Sequence, residues 1–382
     1  MKESFKLRNK MKIGILTLSP GLNYGGVLQA YALQTVLERM GHEVYVIDKP
    51  RKPRKILWWK APLTYGKRIL MNLTGHSYPI FLEQKLKYER PIIRQNIDLF
   101  IEKYLKCKRI KRFSDLQEKD FDAIVVGSDQ IWRPGYFNDR IENAYLEFAR
   151  NWHIKRIAYA ASFGTEKWEY SLKQEKNCKT LVGKFNAVSV RELSGVDLCK
   201  TYFGIKAEWI LDPTMLLKKE DYIKIFRKVD IPQHSGTLLC YILDENEEKT
   251  TLIDKIEKEY QLKAFNVKCK TENYLAPVEE RIQPSFEQWI RGFYDTKFVI
   301  TDSFHACVFS ILFNKPFIAY GNASRGMSRF VSLLSMFGLQ NRLITNISEY
   351  KHLDAINWER VNSILEMKRK EAFNFLESLN SF

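Results

Sequence analysis

The stretch from Ile13 to Asp48 constrains this chain more than any other. An apolar run, Ile13–Leu18, leads into a loop bearing Pro20, Gly21, Gly25 and Gly26, and a second apolar run follows at Glu43–Asp48. Between them a helix is predicted near Val27–Met40, where apolar residues recur at Val27, Leu28, Leu33, Val36, Leu37 and Met40. Gly41 ends it in the position where a helix favours glycine. Strand, glycine loop, helix, glycine, strand is a βαβ unit. Its strands must lie parallel and its sheet must be covered by helices, so the fold class is α/β.

The alternation continues. Ala123–Gly127, Ile157–Ala160 and Ala187–Val190 read as further strands, with helices near Gln84–Leu105 and Ser171–Lys184. A second series follows, with strands at Ala207–Leu211, Thr237–Leu243, Lys263–Val267, Phe298–Thr301 and Pro316–Tyr320. Its helices are expected near Lys219–Arg227, Glu247–Tyr260, Ser285–Phe293, Ser303–Phe313 and Arg325–Phe337. A chain of 382 residues is long enough for two domains. Two Rossmann-like parallel-sheet domains facing across a cleft are expected, 1–195 and 196–382, with a final long helix near Trp358–Leu379 free to pack on either half.

Composition excludes several classes. A hydrophobic share of 45% is too high for a disordered chain. No window approaches the roughly 18 apolar residues of a membrane span. The six cysteines lie scattered without metal-ligand spacing, which fits a reducing cytoplasm and gives no zinc or other metal site. Residues 1–10 read as a polar leader, because the apolar run after Lys12 is too short for a signal peptide. The net charge of +16 suits an anionic partner: nucleic acid, an anionic lipid surface or a phosphorylated substrate. Between Lys49 and Arg68 there are eight Lys or Arg residues, no acidic one, and the pair Trp58–Trp59. Tryptophans among cations suit an anionic membrane surface, and no nucleic-acid module is recognisable.

Ligands of open parallel sheets bind beyond the strands' carboxyl ends, so four loops matter most. Ser19–Gly26 is either a tight turn or a binding loop presenting helix N–H groups. In Gly127-Ser128-Asp129-Gln130-Ile131-Trp132, Asp129 either caps a turn or meets a sugar, and Gln130 and Trp132 could complete a sugar-binding surface. Arg191, after Ala187–Val190, either pairs on the surface or clamps a carboxylate or phosphate in the cleft. In Thr301-Asp302-Ser303-Phe304-His305, Asp302 or Ser303 supplies a helix cap and places His305 in the first turn, facing the cleft. His42, His76, His153, His234 and His352 read as surface residues.

Asn23–Gln34, Gly127–Trp132, Leu211-Asp212-Pro213-Thr214, Thr301–His305 and Ser328-Arg329-Phe330 together resemble the polysaccharide pyruvyltransferase family. The resemblance implies a GT-B-like fold and a transferase that moves pyruvate from phosphoenolpyruvate onto two sugar hydroxyls, giving a cyclic ketal. No cofactor is implied beyond phosphoenolpyruvate as co-substrate. The acceptor would be a galactose-type sugar on a lipid diphosphate carrier, in bacterial capsule or exopolysaccharide synthesis. The enzyme would then be cytoplasmic and peripherally attached to the inner membrane face, without a nucleic-acid partner. His305 and Asp129 are the catalytic candidates. The resemblance matches His305 to the family's functional histidine and Arg191 to an arginine that contacts phosphoenolpyruvate. Ser303, Phe304, Arg325 and Arg329 are the other donor-side candidates, and the loops offer Asn23, Tyr24, Gly25, Gly26, Ser128, Gln130 and Trp132 as acceptor-side candidates. Relatives often carry arginine where this chain has Ser303, so either Arg325 or Arg329 takes that charge or the donor differs. The alternatives are a GT-B glycosyltransferase using a nucleotide sugar, and an inert sugar-binding scaffold.

Overall fold

The computed structural model describes residues 10–50, 56–75, 78–271, 273–321 and 326–380. The first sheet contains β1 (Lys12–Leu16), β2 (Glu43–Asp48), β3 (Cys107–Arg109), β4 (Ala123–Val126), β5 (Lys155–Ala161), β6 (Ala187–Val190) and β7 (Glu208–Trp209). Their spatial order is β3-β2-β1-β4-β5-β6-β7, and every pairing is parallel. The second sheet contains β8 (Leu238–Tyr241), β9 (Ala264–Phe265), β10 (Phe298–Thr301), β11 (Phe317–Tyr320) and β12 (Leu343–Ile344). Its order is β12-β11-β10-β8-β9, again all parallel.

Both orders reverse direction once. The switch points fall between β1 and β4 in the first sheet and between β8 and β10 in the second. Such points open a crevice beyond the strands' carboxyl ends, where successive crossovers diverge to opposite faces. The loops that leave these strands carry Thr17–Tyr24, Ser128–Trp132 and Asp302–His305.

The expected strand at 207–211 does not begin the second half. Only Glu208 and Trp209 extend, and they pair with Ser189 and Val190, so the first sheet runs past residue 195. The final helix, Trp358–Glu377, packs back on the first half. Phe375 meets Tyr159 of β5 at 6.1 Å, and Lys155 donates to the Leu379 carbonyl at 2.8 Å.

Helix Tyr24–Arg39 joins the two halves. Asn23 caps it by accepting from the Gly25 N–H at 3.0 Å, and Gly41 leaves it at φ +98°. Its buried residues share one apolar core with helices Phe286–Asp295, Phe304–Leu312 and Trp358–Glu377. Tyr24 is the pin: its ring stacks on Trp289 at 5.4 Å, stands edge-on to Phe286 at 5.0 Å, and its hydroxyl donates to the Pro284 carbonyl at 2.6 Å. The expected cleft is therefore filled along this side. Tyr24→Phe is expected to lower the free energy of unfolding by about 1 kcal/mol, read by urea denaturation, because it removes one net hydrogen bond and keeps the ring.

Candidate active site

The two switch points meet at Gly25. A Cβ on that residue would lie 2.0 Å from His305 Nδ1, so only a residue without one lets the imidazole of the second half lie against the helix start of the first. Gly26 leaves similar room for a carboxylate, its Cβ position being 3.3 Å from Asp129 Oδ2. Gly326 performs the same service nearby: at φ +90°, its Cβ position is 2.0 Å from the Gly164 carbonyl oxygen. Leu193 N–H donates across the same seam to Ser332 Oγ at 2.9 Å.

Arg191 lies at the centre. Its guanidinium donates to Asp212 Oδ2 at 2.8 Å and to Asp129 Oδ1 at 3.0 Å, and Glu192 Oε2 stands 3.9 Å from its Nε. Its side chain is only 1% exposed. The surface-pair reading is excluded by this burial, and the guanidinium faces three carboxylates. Burial works against its charge, but Asp129, Asp212 and Glu192 outweigh that and raise its pKa. Asp129 shows the complement. Burial would push its carboxyl up, but Arg191, His305 and Arg329 hold it below the ordinary range. Asp212 is likewise held low against burial by His305, Arg191 and its bonds from Thr214.

His305 is buried in this setting. Its Nε2 lacks a hydrogen-bond partner and lies 3.8 Å from Asp212 Oδ2. Burial pulls its pKa down to about 4, Asp212 and Asp129 resist, and Arg191 and Arg329 reinforce the fall. The ring is neutral at pH 7 and can accept a proton. Arg329 is depressed to about 10, first by burial and then by the neighbouring Arg191 charge. Phe304 sits between these two cations, its ring 4.7 Å from Arg191 Cζ and 5.8 Å from Arg329 Cζ.

Other expected site residues serve packing. Trp132 is wholly buried, stacked on Tyr145 at 4.9 Å, so its indole is not a sugar platform. Ser128 Oγ donates to the Ala160 carbonyl at 2.7 Å, and its N–H donates to Gln29 Oε1 at 2.9 Å. Gln130 is buried and accepts from Arg133 at 3.1 Å. Tyr24 belongs to the pin described above, while Asn23 is exposed at the helix start. Ser303 occupies the cap position without a side-chain cap bond. Asp302 does not cap the helix: its carboxylate accepts from Leu243 N–H at 2.6 Å, Asp244 N–H at 3.0 Å and Lys249 Nζ at 2.7 Å. Arg325 lies outside the described residues, as does His76. His42, expected at the surface, is buried with its Nδ1 accepting from Met11 N–H at 3.4 Å.

Asp212 and Glu192 received no role from the sequence. Asp212-Pro213 directly after an apolar run was the available signal for the first; nothing local marked the second. A small hollow beyond β1 is lined by Thr17, Ser19, Lys49, Phe113, Tyr136 and Asp139, with Lys49 and Asp139 paired at 2.7 Å. Among the described residues, no group of three or more His, Cys, Asp or Glu side chains is placed to hold a metal ion.

Fold and site together define a two-lobed α/β protein with a buried arginine–carboxylate–histidine cluster where its lobes meet. The chain matches the polysaccharide pyruvyl transferase family over residues 23–324, and it belongs to that family. No match is found among curated proteins. Among solved structures, it is similar to S. aureus MnaA with UDP, at 12% identity over 96% of this chain and 90% of that one, TM-score 0.49. It is also similar to UDP-GlcNAc 2-epimerase from Neisseria meningitidis bound to UDP-GlcNAc, at 10% identity over 94% and 93%, TM-score 0.45. A Polygonum tinctorium UDP-glucosyltransferase matches at 10% identity over 98% and 99%, TM-score 0.43.

Two outcomes follow from the electrostatics. Arg191→Met would leave three carboxylates buried without their counter-charge, so a loss of about 3–5 kcal/mol in unfolding free energy is expected by denaturant titration. A guanidinium held only for ligand contact would leave stability nearly unchanged. The second outcome concerns His305, whose pKa falls from 6.5 to about 4 on folding. The unfolded chain therefore binds the proton more readily, and the stability from a neutral ring, complete above about pH 6.5, is lost as pH falls towards about 4. An NMR titration of the ring, assigned by its loss in His305→Gln, should show no midpoint near 6.5.

Proposed function

We propose that this chain transfers pyruvate from phosphoenolpyruvate to two hydroxyls of a sugar, forming a cyclic ketal and releasing phosphate. The observation that carries this reading is His305 itself: a buried imidazole with an unpartnered Nε2, beside Asp212 and in the field of Arg191 and Arg329. The donor carries a carboxylate and a phosphate, and Arg329, buried beside Arg191 and the Phe304 ring, is the guanidinium assigned to them. Arg191 acts through Asp129 and Asp212, as a positioning residue.

Binding the donor anions raises the affinity of His305 for a proton. The imidazolium gives that proton to the methylene carbon, and C2 is attacked by the first sugar hydroxyl, whose proton returns to Nε2. The imidazolium next protonates the departing phosphate as the second hydroxyl closes on C2. That hydroxyl's proton restores the imidazolium. Two hydroxyl protons are lost: one ends on the new methyl group and one on phosphate. Asp212 steadies each charged state of the ring. The acceptor on this reading is a galactose-type sugar on a lipid diphosphate at the inner membrane face, in capsule or exopolysaccharide synthesis.

Phosphate release from phosphoenolpyruvate with a galactoside acceptor tests the reaction. Retained phosphoenolpyruvate without release, or tight binding of a nucleotide sugar instead, would overturn it. His305→Gln keeps a hydrogen-bonding side chain but no proton exchange, so turnover should fall by about 10²–10⁴-fold. Donor affinity by calorimetry should change by less than about tenfold, because binding rests on the guanidinium. Lost affinity with intact turnover at saturation would make His305 a phosphate ligand only.

A further inference from the structure

Helix Ala61–Leu73 is built inside out. Its polar side is the docked one: Arg68 donates to the Ile80 carbonyl at 2.7 Å and grips Glu83 through two bonds of 2.8 and 2.7 Å. Asn72 exchanges two bonds with the Tyr78 backbone, at 2.9 and 2.7 Å, and Tyr65 packs on Phe81 at 5.1 Å. The apolar side faces outward. Leu63, Leu70 and Leu73 recur at helical spacing and are 81%, 61% and 78% exposed. Trp58 and Trp59, in the turn just before, are 82% and 58% exposed. No residue of this helix is buried.

A surface helix in water turns its apolar stripe towards the core. A reversed helix with a continuous apolar face marks an interaction surface. The local charge identifies what covers it. Residues 49–68 hold eight cations and no acid. Lys49 and Arg68 are engaged with Asp139 and Glu83, whereas Lys60 and Lys67 are exposed beside the leucines. Arg51, Lys52, Arg54 and Lys55 lie outside the described residues. A second copy would bring the same cations into opposition. A surface that is negative outside and apolar beneath complements both features. Among the described residues no helix is long and apolar enough to cross a membrane.

We propose that helix Ala61–Leu73 and the Trp58–Trp59 turn lie within the interface of an anionic bilayer. Leu63, Leu70, Leu73 and the two indoles enter the acyl boundary, and Lys60 and Lys67 meet the lipid phosphates. This deepens the membrane-side reading above and rests on it only for the acceptor's location. Attachment is then apolar as well as electrostatic, so salt removes only part of it.

Flotation with phosphatidylcholine vesicles, with and without phosphatidylglycerol, at low and high salt, tests the assignment. The wild type should float with anionic vesicles and keep part of its binding at high salt. Trp58→Ser/Leu63→Ser/Leu70→Ser/Leu73→Ser should lose about tenfold or more at either salt. Lys60→Gln/Lys67→Gln should lose only the salt-sensitive part. Unchanged circular dichroism, and unchanged phosphate release with a water-soluble acceptor, will show that both variants are folded. Equal flotation of wild type and the serine variant, or no flotation of folded wild type, would overturn the proposal. So would a dimer in solution that the serine substitutions dissolve. If phosphate release fails while flotation succeeds, the pyruvyl reading falls and the membrane surface stands.

Discussion

The ion pair network around Arg191 is the interaction on which the site depends. Asp129 follows β4, Arg191 follows β6 and Asp212 follows β7, so one guanidinium gathers the carboxyl ends of three strands of the first sheet. Burying several charges is unfavourable unless each is answered, and here the bonds at 2.8 and 3.0 Å answer two of the carboxylates directly. The third, Glu192, also accepts from the Gly164 N–H at 2.9 Å. Gly164 in turn touches Gly326 of the second half, so the network reaches the seam between the sheets.

The seam depends on small residues as much as on charge. Any side chain at Gly25 would strike the His305 ring, and any at Gly326 would strike the Gly164 carbonyl. Glycine in such loops reads ambiguously in a sequence, because a tight turn and a close approach use the same residue. Three-dimensional proximity separates the two meanings. At Gly25 and Gly326 the close approach is to the other half of the molecule.

Much of the architecture was legible because buried parallel strands are short apolar runs bounded by turns. Glu43–Asp48, Ala187–Val190 and Phe298–Thr301 have the bounds expected of them. β3 was not visible, since Cys-Lys-Arg at a sheet edge carries no apolar pattern, and β12 spans only two residues. Helix Ala61–Leu73 was obscured because its cations and tryptophans stand out as a charge run before they stand out as a helix. At the site, His305 was recognisable from its place after a strand and at a helix start. Trp132 was misread because an aromatic residue after a strand serves equally as core or as ligand platform, and only its stacking on Tyr145 decides. The partnership of Arg191 with Asp129 and Asp212 joins residues far apart in sequence, which no local pattern encodes.

On the proposed reading, these charges let one histidine act in both directions. In the free site, three carboxylates are set against two guanidiniums, yet burial dominates and His305 stays neutral, its pKa near 4. Asp129 and Asp212 are both held below the ordinary carboxylate range, which favours their ionised forms. Asp129, a catalytic candidate by sequence, accepts from Arg191 at 3.0 Å. On the proposed reading, the donor adds negative charge beside Arg329 and reverses the local balance, so the imidazole gains its proton only when the donor is present. On that reading the depressed pKa of His305 and the ion-paired guanidinium of Arg191 are two parts of one arrangement: the first keeps the ring neutral until the donor is present, and the second keeps Asp212 ionised beside the imidazolium that then forms.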